Sequence, residues 1–173
     1  LAWSSAASDV YKRQHKDQFT IPAPMAVGAI HHKLIDSGLR CDTNLIVETG
    51  SARNPHHFAV LLGYGATAIY PYLSFELIFE LINKNNKSND YTKSVSNYIR
   101  GINKGIFKIM SKMGISCVSS YRGAQLFETV GLDDDVVDLC FRGTINRISG
   151  TDFDDLQKDC LLYTSPSPRD PKI

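Results

Sequence analysis

The sequence predicts an α/β domain, either an open parallel sheet or part of a TIM-barrel-like domain, built of alternating helices and short strands. Two patterns carry this expectation. At Gly38, Gly63 to Gly65, and Gly114, a helical run ends at glycine, a short apolar run follows, and a polar or aromatic corner closes it. The longest periodic segment keeps Ile102, Ile106, Ile109, Met110 and Met113 on one helix face. Arg100, Lys104, Lys108 and Lys112 stand at four-residue intervals on another. The three expected strands are too few to close a barrel.

The elements follow in order. Phe19 to Pro24, FTIPAP, is extended, because its prolines fix their own φ and push the preceding residues away from helix. A helix begins near Met25, buries Val27, Ile30, Leu34 and the pair Ala26 and Ile35, and ends at Gly38. Asn44 to Thr49 reads as a strand buried on both faces. Asn54 caps the next helix with Pro55 at its first position, where a missing N–H costs nothing. Ala66 to Tyr70 is the second strand, closed by Pro71. Ser74 caps a helix whose apolar side is Leu77, Ile78, Leu81 and Ile82. The polar tract Asn83 to Asp90 is an exposed loop. The long amphipathic helix then runs to Gly114, where a residue without a Cβ turns cheaply into the left-handed region. Ile115 to Val118 is the third strand, and a helix starts from the SYRGAQ corner. Asp133 to Asp135 place acidic side chains at another helix start. Arg142 to Gly150 is turn and short extended chain, and Thr151 caps a last helix.

Both ends look foreign. Residues 1–14 and 160–173 resemble translated sequencing-adapter text, which leaves 15–159 as the native portion, an internal piece of a longer protein. Trimming moves the formal charge from +1 to −1, a near-neutral balance that gives no electrostatic case for nucleic acid. Cys41, Cys117 and Cys140 remain, at spacings that match no zinc, haem or iron–sulfur pattern, and scattered thiols suit a reducing compartment. No apolar run approaches the roughly 20 residues of a membrane span.

In parallel α/β architecture, ligands gather at the carboxyl ends of strands. Glu48, Tyr72, Ser120 and Arg122 stand at the three expected strand ends. A carboxylate, two hydroxyls and a guanidinium converging there would suit a small anionic ligand, with Arg122 and the backbone at Gly123 holding its charge. Equally, Glu48 and Arg122 would pair with one another. The pairs His31-His32 and His56-His57 invite a metal reading, but adjacent helical residues point about 100° apart, so neither pair chelates as a unit. Gly63-Tyr64-Gly65 follows a helix and precedes a strand, the reverse of a dinucleotide fingerprint. The basic stripe is a solvated face or a contact with another domain; no aromatics interleave for bases to stack on. There is no GxSxG, and none of the three cysteines has a histidine or helix start beside it. No catalytic, cofactor-binding or metal-ligating residue is assigned.

The strings IPAPMAVGAIHHKLIDSGLR, LIVETGSARNPHHFAVLLGYGATAIYPYLSFE, YIRGINKGIFKIMSKMGISCVSSYRGAQLFETVGL and FRGTINRISG occur in register along the chain. Together they resemble the large chain of glutamate synthase, in the C-terminal half of the central domain that precedes the FMN domain. Lys33 stands where the family is expected to carry a third histidine. The resemblance implies a piece of an enzyme that makes glutamate from glutamine and 2-oxoglutarate. In that enzyme a glutaminase domain releases ammonia through an internal tunnel to a flavin domain. It implies FMN and an iron–sulfur cluster held by segments outside this chain, and ferredoxin or a pyridine-nucleotide-linked subunit as electron donor. The partners implied for this piece are the glutaminase and FMN domains of its own polypeptide, in the cytoplasm or a plastid. Its own implied role is that of scaffold and spacer, and by itself it is expected to be inactive.

Overall fold

Helix α1 (Ala23–Asp36) starts at Pro22, whose carbonyl accepts from the amides of Met25 and Ala26 at 3.0 and 3.2 Å. The computed structural model describes residues 21–84 and 91–164, with side chains described to residue 160. The expected first boundary, 14/15, and most of the Asn83 to Asp90 tract lie outside these residues. Strand β1 (Ile46–Glu48), helix α2 (Pro55–Gly63) and strand β2 (Ala68–Tyr70) form a strand–helix–strand unit. Its strands are parallel, with Ile46, Val47 and Glu48 opposite Ala68, Ile69 and Tyr70. Asn54 caps α2 as expected, its Oδ1 accepting from the His57 amide at 3.1 Å.

Helix α3 (Tyr72–Lys84) begins two residues before the expected cap. Ser74 is inside it, and its Oγ donates to the Ala52 carbonyl at 3.4 Å. Helix α4 (Tyr91–Lys112) packs on α2 and α3. Three helix ends share one hydrogen-bond pattern. Leu39, Ala66 and Ile115 donate to the carbonyls of Leu34, Leu61 and Met110, while Gly38, Gly65 and Gly114 donate to those of Ile35, Leu62 and Ser111. This is the paired 6→1 and 5→2 closure of a helix end, and Gly65, at φ 113°, takes a backbone that side chains rarely adopt.

After Gly114 the structure departs from the sequence reading. Ile115 to Cys117 form no strand, and α5 (Val118–Tyr121) is a single helical turn. The helix expected from the SYRGAQ corner is instead loop leading to β3 (Glu128–Thr129). β-branched residues at 115 and 118 mimic a strand, but Ile115 and Val118 are held as partly buried packing against the main core. Helix α6 (Asp134–Cys140) starts at Asp133 as expected. Strand β4 (Ile145–Asn146) pairs in parallel with β3, and α7 (Phe153–Thr164) follows. Asp152, rather than Thr151, caps α7, accepting from the Asp155 amide at 2.8 Å; Thr151 bridges to Leu132. Helix α7 runs through the expected second boundary at 159/160.

The described strands therefore form two separate two-stranded parallel sheets, compatible with the α/β class. The main core joins Val27, Leu45, Val47, Phe58, Leu61 and Ala66 to Ile102, Ile106 and Met110 of α4. A smaller one packs Met25 of α1 on Val136, Val137, Cys140 and Phe141. Tyr64 belongs to both, stacked on Phe127 at 5.6 Å and edge-on to Phe141 at 5.0 Å. The strand at 46–48 is buried on one face only, since Ile46 and Glu48 are exposed. Ile35, Leu77 and Leu81 are likewise exposed, and Met113 turns outward while Met110 takes the buried place.

Candidate functional site

The four strand-end candidates fall into two groups. Glu48 is exposed at the C-terminal end of β1. Tyr72 opens α3 with its phenol against Gly50, where an added Cβ would meet Oη at 3.0 Å. Ser120 and Arg122 are at the other end of the unit. The Gly123 amide donates to the Gly63 carbonyl at 2.9 Å, which pins the corner to the C-terminus of α2 and hence to the N-terminal end of β2. Glu48 and Arg122 thus neither converge nor pair. The expectation failed because it required a strand at 115–118 to carry Ser120 and Arg122 to the same edge.

At that second end, Arg40 ties three segments together. Its Nε donates to His31 Nδ1 at 2.9 Å, and its two terminal nitrogens donate to the carbonyls of Thr43 and Gly65 at 2.8 Å each. With Nδ1 accepting, the neutral His31 ring carries its proton on Nε2. Burial lowers the His31 pKa to about 4, helped by the charges of Arg40, His32 and Arg122. Burial and then Arg142 lower that of His32 as well. Arg142 forms a bidentate pair with Asp36 at 2.9 and 3.1 Å, and these hydrogen bonds hold the Asp36 carboxyl below its ordinary range. A cavity of about 110 Å³ lies here, lined among others by His31, Tyr64, Tyr121, Gln125, Arg142 and Thr144. Periodicity gave no sign of it, because Arg40 lies beyond the end of α1 and Gln125 sits in a loop at φ 52°.

His56 and His57 are exposed at the start of α2, with His57 Nδ1 accepting from the Arg53 amide at 3.3 Å. Among the described residues, no group of three His, Cys, Asp or Glu side chains is placed to hold a metal ion. Cys117 does stand at a helix start, contrary to expectation: it occupies the cap of α5, 2.9 Å from Ser119 Oγ. The hydrogen bonds from Ser119 lower its thiol pKa, whereas burial raises that of Cys140. Arg100, Lys104, Lys108 and Lys112 are all exposed. No described helix is long and apolar enough to cross a membrane.

The family described as glutamate synthase central domain matches residues 8–133. The chain belongs to this family. It is 43% identical over 158 residues to the NADH glutamate synthase of Saccharomyces cerevisiae and 45% identical over 148 to the NADPH glutamate synthase large chain of Bacillus subtilis. A ferredoxin-dependent glutamate synthase of Arabidopsis thaliana, described as chloroplastic/mitochondrial, is 43% identical over 166 residues. These alignments cover 87, 86 and 90% of this chain but only 7, 10 and 10% of the respective relatives. Among the described residues, neither the thiols nor the strand-end side chains fit the cofactors that a glutamate synthase implies. A cluster needs several thiolates together, but Cys41 and Cys117 are exposed, Cys140 is buried in the smaller core, Cys160 is half-buried on α7, and no three of them are grouped. At the C-terminal strand ends, Glu48 presents a carboxylate where a flavin phosphate would need cations or a cradle of amides.

Proposed function

We propose that this chain is a piece of a glutamate synthase large chain, with residues 15–159 as its native portion. In that enzyme it would scaffold and link the glutaminase and FMN domains of one polypeptide. The reaction is reductive transfer of the glutamine amide nitrogen to 2-oxoglutarate, giving glutamate. FMN and the iron–sulfur cluster belong to other segments, and electrons arrive from ferredoxin or a pyridine-nucleotide-linked subunit. The fuller architecture is a parallel α/β domain, open or barrel-like, in a cytoplasmic or plastid enzyme. The observation that carries this reading is the match to the central-domain family over residues 8–133.

A chimaera tests it. The equivalent segment of the Bacillus subtilis large chain is replaced by residues 15–159, and glutamine-dependent glutamate formation is measured with NADPH. Activity is expected to survive; a folded, flavin-loaded chimaera unable to make glutamate would sink the reading. The 173-residue chain alone is expected to show no glutaminase activity and no stoichiometric flavin absorbance after incubation with FMN.

A further inference from the structure

We propose that the cavity between α1, the end of α2 and residues 121–127 binds a small oxyanion, carboxylate- or phosphate-type, of about four or five heavy atoms. The first observation is an unmet donor. Tyr121 is only 1% exposed, and its hydroxyl is buried without a partner. Buried hydroxyls in folded proteins nearly always have one, and Tyr121 is among the residues that line the cavity, so this group has a hydrogen bond left to make. The second is the sign of the surroundings. His31 uses Nδ1 on Arg40 and keeps an Nε2–H to donate, Gln125 offers an amide, and Arg142 contributes a guanidinium. No carboxylate lines the cavity, although Asp36 takes one hydrogen bond from each terminal nitrogen of Arg142 and offsets part of its charge. Arg40 and Arg122 add positive charge close enough to depress the ionisation of His31. Arg122 Nε is itself buried without a partner. Several donors and no carboxylate thus line a partly desolvated site, where charge-assisted hydrogen bonds to an anion are strong.

Size limits the guest. A cavity of about 150 Å³ holds a six-carbon ring, so 110 Å³ suits acetate, phosphate or an anion of that bulk rather than a nucleotide. The site lies at the N-terminal end of β2 and owes nothing to the strand-end residues Glu48 and Tyr72.

The test is calorimetric titration of the 173-residue chain with inorganic phosphate and, separately, with acetate, at ionic strength fixed with sodium chloride. Saturable one-to-one binding of at least one is expected, and the two titrations tell tetrahedral from planar recognition. Tyr121→Phe keeps the buried ring and removes only the orphan hydroxyl. It is expected to weaken binding about tenfold or more while leaving the thermal midpoint unchanged or raised. Lys104→Ala, on the exposed stripe, should bind as the parent does. The proposal is overturned by saturation with neither anion, by unchanged affinity in Tyr121→Phe, or by an equal loss in Lys104→Ala. A lowered midpoint in Tyr121→Phe also overturns it, since the hydroxyl would then have a structural partner.

Discussion

Gly28 has no room for a side chain, because a Cβ there would run into the backbone carbonyl of Cys140 where α1 crosses α6. Backbone cannot move aside as a flexible side chain can, so Gly28→Ala is expected to destabilise the fold by about 2 kcal/mol or more, read from urea unfolding. His31 sets a pH dependence of definite sign. Its folded pKa, about 4, lies below the ordinary 6.5, so the unfolded chain binds the proton more readily. The neutral ring's contribution is therefore whole above about pH 6.5 and declines as pH falls toward 4. His31→Gln, which can still accept from Arg40, is expected to flatten the stability profile in that window. Cys117 is exposed with a lowered thiol pKa, whereas Cys140 is buried with a raised one. Iodoacetamide near pH 7 should label Cys117 and spare Cys140 until the chain unfolds. Ser119→Ala should slow the labelling of Cys117, and peptide mass spectrometry reads both.

Helix α4 shows what periodicity fixes and where it slips. Ile106 is 9% exposed and its neighbour Phe107 is 64% exposed, so adjacent residues give a sharp test of register. Ile106→Ala is expected to cost about 2–4 kcal/mol, and Phe107→Ala to stay within about 0.5 kcal/mol, by urea unfolding. The apolar face of α4, the Asn54 cap and the glycine helix ends were legible because each is a local rule. Short strands were not. A three-residue strand and a single helical turn share the same apolar signature, and the difference at 115–121 lies in tertiary packing of Ile115 and Val118. That misreading of one element misplaced Ser120 and Arg122, so half of the strand-end constellation fell at the wrong end. The cavity beside His31 was illegible for a related reason. Its groups come from α1, the end of α2, and the loops that precede β3 and β4, brought together by the Gly123–Gly63 and Arg40–Gly65 hydrogen bonds that no sequence period encodes.

At the scale of the molecule, the two small sheets leave much apolar surface uncovered. Parallel strands are normally buried on both faces, yet Ile46, Tyr70, Leu77, Ile99 and Phe107 are each at least 38% exposed. A groove of about 300 Å³ runs along β2 between α3 and α4, lined by Ile69, Tyr70, Phe75, Tyr98, Ile99 and Ile102 among others. Contiguous apolar surface on an isolated chain associates, because burying it releases its hydration water. The 173-residue chain is therefore expected to self-associate with rising concentration, which sedimentation velocity reads as a growing weight-average coefficient. Lysines at Tyr70 and Ile99 place charge on this face without entering the buried core, so Tyr70→Lys with Ile99→Lys should restore a concentration-independent monomer. Lys104→Ala and Lys108→Ala on the basic stripe should not. A parent chain that stays monomeric at high concentration and does not brighten an apolar dye would show that the groove closes by local rearrangement, and the double lysine variant would then be expected to lose stability rather than gain solubility.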